Sequence, residues 1–183
     1  MKAIAFPIFA AFMLALVGCE STPVTPADGV NDRAKQTLQQ METGDSGLGT
    51  ITDKAYAYAV FPEVGAAAIG VGGAGGKGVV YQGGREIGLV VLNQGSVGLQ
   101  LGGDTYSELI VFDTPEAFNS FRDGKLEFGA DASATIIKAG SAASAPFNHG
   151  TRIFAMPRGG LMAGVSVSGQ KFSFTAASDK NNL

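Results

Sequence analysis

Gly70-Val71-Gly72-Gly73-Ala74-Gly75 has the spacing G-x-G-x-x-G, with which backbone N–H groups cradle a pyrophosphate. That chemistry needs a strand before the glycines and a helix opening inside them, because the helix N-terminus supplies the positive end of a dipole. Here Gly76-Lys77-Gly78 and the β-forming run Val79-Val80-Tyr81 follow, so the helix is missing. The phosphate-loop spacing G-x-x-x-x-G-K-[ST] also fails: Gly78 follows Lys77, and Val71 stands where the first glycine belongs. No nucleotide partner is expected. Lys77 and Arg85 flank the Val79–Tyr81 run near glycine turns, where a cation beside free backbone N–H groups suits the phosphate of a lipid headgroup. Solvated turn charges are the plainer reading of the same two residues.

His149 is the chain's single histidine and lies between Asn148 and Gly150. As a general base it has no partner: no G-x-S-x-G elbow exists, and Ser141 and Ser144 have no telling spacing to it. As a metal ligand it lacks a second histidine. The acids are dispersed, and Asp131, in a stretch of small residues, reads as structural. The expectation is a protein without metal, cofactor or catalysis.

Cys19 is the only cysteine and ends Leu16-Val17-Gly18-Cys19. Met1-Lys2 and an uncharged apolar run from Ala3 to Val17 precede it, too short to span a bilayer and typical of a secretory signal. The four residues match the bacterial lipobox, whose cysteine sulfur takes a diacylglycerol before cleavage. A lone cysteine forms no internal disulfide, so lipidation accounts for it better than an incidental position in an ordinary signal peptide. Each buried acyl methylene contributes about 0.8 kcal/mol, and the three chains typical of such lipoproteins would anchor the protein stably. Glu20 stands where an aspartate would retain an enteric-type lipoprotein in the inner membrane. The expected location is therefore the bacterial cell envelope, at the outer membrane facing the periplasm.

Without residues 1–18 the chain has 165 residues, enough for one domain with a core, and a net charge of about −4. No basic block exists, which argues against a nucleic-acid partner. Residues 19–28, with Pro23 and Pro26, read as a flexible tether. Residues 29–176 read as one domain and 177–183 as a polar tail.

These residues need a scaffold. Asn31 or Asp32 is expected to cap a helix running to about Glu42, with Val30, Ala34, Leu38 and Met41 on its buried face and Gly44 ending it. Thr52 or Asp53 would open a second helix, Lys54 to Ala59, stopped by Pro62. Between Gly65 and Gly103 lie 14 of the 27 glycines, interleaved with Val79–Tyr81, Ile87–Leu92 and Val97–Leu101. That pattern predicts short antiparallel strands joined by turns such as Gln82-Gly83-Gly84-Arg85. Thr105–Phe112 reads as a strand, and Asp113-Thr114-Pro115-Glu116 as a helix start, with Ala117, Phe118 and Phe121 inward and Gly124 at the end. Strict alternation from Leu126 to Ile136 predicts a long strand. A loop over 140–150 and strands near 152–157, 161–167 and 171–175 complete an α+β domain. Its glycine-rich antiparallel sheet should close toward a barrel or a sandwich, with about three short helices.

Several of these pieces occur in a recognisable order. They are Ala59-Val60-Phe61-Pro62-Glu63-Val64-Gly65, Gly76-Lys77-Gly78-Val79-Val80 and Gly95-Ser96-Val97-Gly98-Leu99-Gln100-Leu101-Gly102. Leu109-Ile110-Val111-Phe112 before Ala117-Phe118, and Phe128-Gly129-Ala130-Asp131-Ala132-Ser133, follow in turn. Together, over about 53–175, they resemble the SYLF lipid-binding domain family. That family includes eukaryotic proteins reported to bind phosphoinositides and actin, and bacterial envelope lipoproteins held to bind lipid. The resemblance implies lipid binding. Eukaryotic members carry a Trp-containing segment where this chain has Ile87-Gly88-Leu89-Val90-Val91, and this chain has no Trp and little basic N-terminal sequence. Phosphoinositide and actin binding are therefore not carried over. The expected function is a lipid-anchored, non-catalytic periplasmic protein binding membrane phospholipid through apolar strand faces. The alternative is a structural or adaptor lipoprotein that engages another envelope protein. A hydrolase built on His149 is the most distant reading.

Overall fold

The computed structural model describes residues 26–65, 73–95, 105–129, 132–147, 149–159 and 164–177. Two helices, α1 (Pro26–Gly44) and α2 (Gly47–Lys54), precede the strands β1 (Ala57–Gly65), β2 (Gly73–Gln82), β3 (Arg85–Gly95) and β4 (Thr105–Phe112). Helix α3 (Pro115–Arg122) follows, then β5 (Ser133–Ile136), a 3-10 turn at Ala142–Ser144, β6 (Thr151–Pro157), β7 (Val165–Ser166) and β8 (Gln170–Ala176). The strands form one eight-stranded sheet in the order β7-β5-β6-β4-β1-β2-β3-β8. All pairings are antiparallel except β5 with β6. The sheet is curled into a half-barrel, and the chain passes from one edge strand to the other within Val167–Gly169. The α+β expectation holds, with the sheet closing toward a barrel.

Local chemistry explains the parts read correctly. Gly83 and Gly84 take φ of 56° and 74°, the two positive values that a tight two-residue hairpin loop requires, and they join β2 to β3. Thr114 caps α3 by accepting from Ala117 N at 3.2 Å, Pro115 opens the helix, and Gly124 leaves it at φ 68°. Gly75 lies within β2, so no helix opens in the glycine run at that point.

Three expectations need correction. First, α1 begins at Pro26, before Asn31 and Asp32, because a proline in a first turn gives up no intrahelical bond. Second, the residues 54–59 expected as a helix end α2 and start β1. Alanine favours helix, but Ala57, Ala59 and Phe61 alternate with Tyr58 and Val60 between the two faces of the sheet, and tertiary pairing with β2 and β4 overrides propensity. Pro62 does not end the segment. It sits where the β1 register shifts against both neighbours, the one place within a strand where a missing N–H is tolerated. Third, the long strand over 126–136 shrinks to Ser133–Ile136. Leu126 and Phe128 are buried and Glu127 and Gly129 exposed, as alternation requires, but that stretch pairs with no strand among the described residues. Of the strand expected over 161–167, Val165–Ser166 is observed. The calls on residues 1–25, 66–72 and 96–104, Val97–Leu101 among them, on Asp131 and Asn148, and on the tail beyond 177 fall outside the described residues.

The inner face of the sheet is filled, and the helices cover the outer face over β1, β2, β4 and β6 while Val91, Asn93, Lys171 and Ser173 of β3 and β8 stay exposed. Inside the curl, Phe61, Ile110, Phe112, Phe121, Phe128 and Phe172 form an aromatic-rich core, with ring centroids 4.6 Å apart for Phe112–Phe121 and 5.1 Å for Phe121–Phe172. Each such side chain contributes about 1.5–3 kcal/mol by leaving water. On the outer face, Val30, Ala34 and Met41 of α1 pack with Leu48 of α2 against Val60, Val79, Leu109 and Phe154. Leu38, expected on the same stripe, is half-buried there. Buried Asp45, between the helices, accepts from Ala142 N at 2.7 Å, Ser141 Oγ at 2.9 Å and Gly47 N at 3.0 Å. The Ala142 bond is the main reason its carboxyl is held below the usual range. No helix among the described residues is long and apolar enough to cross a membrane.

Candidate functional site

The antiparallel ladder decides what Lys77 and Arg85 can do. Lys77 pairs with Glu63 on one side and Val91 on the other, whereas Arg85 pairs with Gln82 at the hairpin turn. Five residues of β2 separate the two levels, about 17 Å at the rise of a strand. Both side chains are exposed, but the strand places them at opposite ends of the hairpin. What Lys77 does share is a groove of about 410 Å³ with Arg33 of α1. Pro62, Glu63, Val91 and Leu92 complete its walls. Two cations and one carboxylate thus sit beside apolar surface, and Val91 is 36% exposed there. The sequence could not show Arg33, because its approach to Lys77 is made by the docking of α1 across β1 and β2.

A second polar group lies inside the curl. Tyr106, Glu108, Ile110 and Phe112 point to the same face of β4, and Glu108 is completely buried. Gln170 Nε2 donates to Glu108 Oε2 at 2.9 Å. Gln94 stands opposite Gln170 in the β3–β8 ladder, its Nε2 donating to Ser166 O and Ser168 O at 3.0 Å each. Four buried oxygens are left without a partner: Glu108 Oε1, Gln170 Oε1, Gln94 Oε1 and the Tyr106 hydroxyl. Burial lifts the Glu108 carboxyl to about 7, against the lowering pull of Gln170 and Tyr106. Burial and then the neighbouring Glu108 charge push the Tyr106 phenol well above its usual range. The Tyr106 hydroxyl is near enough to both neighbours to feel them, yet none of its contacts reaches hydrogen-bonding geometry. Sequence reading passed over Glu108 as one acid in an apolar strand. The available signal was its phase, two residues from Tyr106 and two from Ile110.

His149 is exposed and takes a φ of 49°, beside a groove of about 350 Å³ that also contains Phe147, Ser133 and Thr151. No serine–histidine pair is hydrogen-bonded there among the described residues, and no three metal-capable side chains gather among them. Arg152 holds Asp113 through two contacts, Nε to Oδ2 at 3.0 Å and Nη2 to Oδ1, and lies 4.8 Å from the ring centre of Phe147. Cys19 lies outside the described residues.

The Ysc84 family model, described as Las17-binding protein actin regulator, matches residues 93–182. Ysc84 domains are SYLF domains. The chain belongs to the SYLF family. The matched part of the SYLF domain runs from the end of β3 through β4, α3 and the strands β5 to β8. It therefore contains Gln94, Tyr106, Glu108 and Gln170, while Arg33, Lys77 and Arg85 lie before it. A comparison with curated proteins found no match.

Proposed function

We propose that this SYLF protein is a non-catalytic lipid-binding lipoprotein of the bacterial envelope, anchored through Cys19 at the outer membrane and facing the periplasm. Family membership is the observation that carries the lipid-binding role. The lipobox ending in Cys19 carries the anchor, and the dispersed acids and single histidine favour binding over turnover. Lys77 is assigned to a headgroup phosphate, with Arg33 as its neighbour in the groove and Val91 and Leu92 as the apolar wall beside it. Arg85, about 17 Å away along the ladder, would meet a separate headgroup.

Vesicle flotation of the chain beginning at Glu20, which lacks the anchor, tests this reading. The protein is expected to rise with vesicles containing anionic phospholipid. Arg33→Glu with Lys77→Glu should weaken that association at least about tenfold, since each basic residue near an anionic surface contributes about 1 kcal/mol. A protein that stays with the unbound fraction on every vesicle contradicts the proposal.

An adaptor lipoprotein that binds another envelope protein is the second reading. The description of the family model names a protein-binding relative. Phe147, 68% exposed and braced by Arg152, is the kind of aromatic anchor a protein interface uses.

A further inference from the structure

Glu108 is a completely buried carboxyl with no cation beside it, and no charge in the described structure balances it. Such a group is costly to ionise unless a cation joins it. Its surroundings are one-sided. The one amide donor aimed at it, Gln170 Nε2, is already engaged, the Tyr106 hydroxyl stands near without a hydrogen bond, and the four atoms left over are oxygens. Two of them are amide carbonyls, which only accept. The group is placed near one end of the half-barrel. Tyr106 is the second residue of β4, Gln170 the first of β8, and Gln94 the last but one of β3, so three of the four lie within one residue of a strand end. The opposite end is filled by Phe112, Phe118 and Phe121.

We infer that Gln94, Tyr106, Glu108 and Gln170 form a receiving site for a primary ammonium group, such as the headgroup amine of an aminophospholipid. An ammonium offers three N–H donors and one positive charge, which answers the unpartnered oxygens and the lone carboxylate together. As to lipid, this rests on the lipid-binding reading above. Below about pH 7 the empty site holds Glu108 protonated, and on binding that proton leaves to solvent: the carboxylic acid plus R–NH₃⁺ gives the carboxylate–ammonium pair plus H⁺. Among the described residues Tyr106 is the one titratable group facing Glu108; its ladder partners are Phe61 of β1 and Ala155 of β6, and the neutral Gln170 of β8 meets it across the curl.

The test compares the chain from Glu20 on vesicles of phosphatidylcholine and of phosphatidylcholine with phosphatidylethanolamine, both carrying the same share of anionic phosphatidylglycerol so that surface charge is equal. A quaternary ammonium has no N–H to give, so the ethanolamine lipid should be preferred about tenfold. The preference should decline as pH falls from 8 to 6, because a proton must then be displaced, while a primary amine stays charged throughout. Glu108→Gln, which keeps the shape and removes the charge, should abolish the preference. Tyr106→Phe, which removes one oxygen, should reduce it and serves if Glu108→Gln does not fold. Equal binding to both vesicles, or a preference indifferent to pH and to these substitutions, overturns the inference while leaving lipid binding intact. If the protein binds neither vesicle, the lipid-binding reading falls and the site is decided by salts. Thermal stabilisation by methylammonium over tetramethylammonium chloride, lost in Glu108→Gln, would support a free amine as ligand. Equal melting in both salts would leave the quartet holding water or a proton only, and would overturn it.

Discussion

A single carboxyl, Glu108, adds a pH dependence of its own to the stability of the fold. Burial raises its folded pKa from the ordinary 4.5 to about 7, so between those values the folded chain holds a proton that the unfolded chain has lost. The contribution is fully present below the unfolded value and is lost as pH rises through the folded one. Wild-type stability should therefore fall between about pH 4.5 and 7, by an amount on the order of 3 kcal/mol from this group. Urea melts of wild type and Glu108→Gln across pH 5–8 check this. The difference between them should shrink toward acid and favour the glutamine toward alkali; parallel curves would show that Glu108 titrates normally. Asp45 works in the other direction, since its accepted bonds hold its pKa down and stabilise the ionised form. Neither acid announces its role by spacing alone. Asp45 serves a turn 97 residues away in sequence, and Glu108 meets Gln170 at a separation of 62.

Among the elements, those fixed by local chemistry were legible and those fixed by partners were not. The β2–β3 hairpin follows from two glycines that accept positive φ, and α3 from a threonine cap followed by proline. The segment Ala57–Ala59 defeated helix propensity because β4 and β2 claim it from both sides. Residues 126–129 keep the alternation of a strand in their burial but have no strand to pair with among the described residues. The glycines of β2 also have a role that no turn pattern reveals. A Cβ on Gly78 would stand 2.7 Å from Phe61 Cδ1 and 2.8 Å from Val60 O, one a core ring and the other backbone. Gly78→Ala should accordingly destabilise by about 1–3 kcal/mol. Gly95→Ala, where nothing lies within 4 Å, should change stability far less. Equal losses in chemical denaturation would mean that β1 and β2 are not as close as described.

Taken whole, the molecule is an open-sided barrel with two unlike ends, a filled inner face and an outer face partly covered by helices. Its fold class could be read from the order of glycine-rich strands and capped helices, and its family from the sequence pieces that those elements carry. The pairing of Arg33 with Lys77 and the interior quartet could not, because each depends on how α1 docks or how the sheet curls. The proposal for the whole protein is that this body holds lipid by itself and that the tail at Cys19 merely keeps it near the bilayer. Native mass spectrometry of the chain from Glu20, purified from a bacterial host without detergent, addresses that most directly. A population heavier than the chain by the mass of a phospholipid, lost on collisional activation, is the predicted result. Spectra showing the bare chain mass alone, from preparations that remain folded, would contradict it.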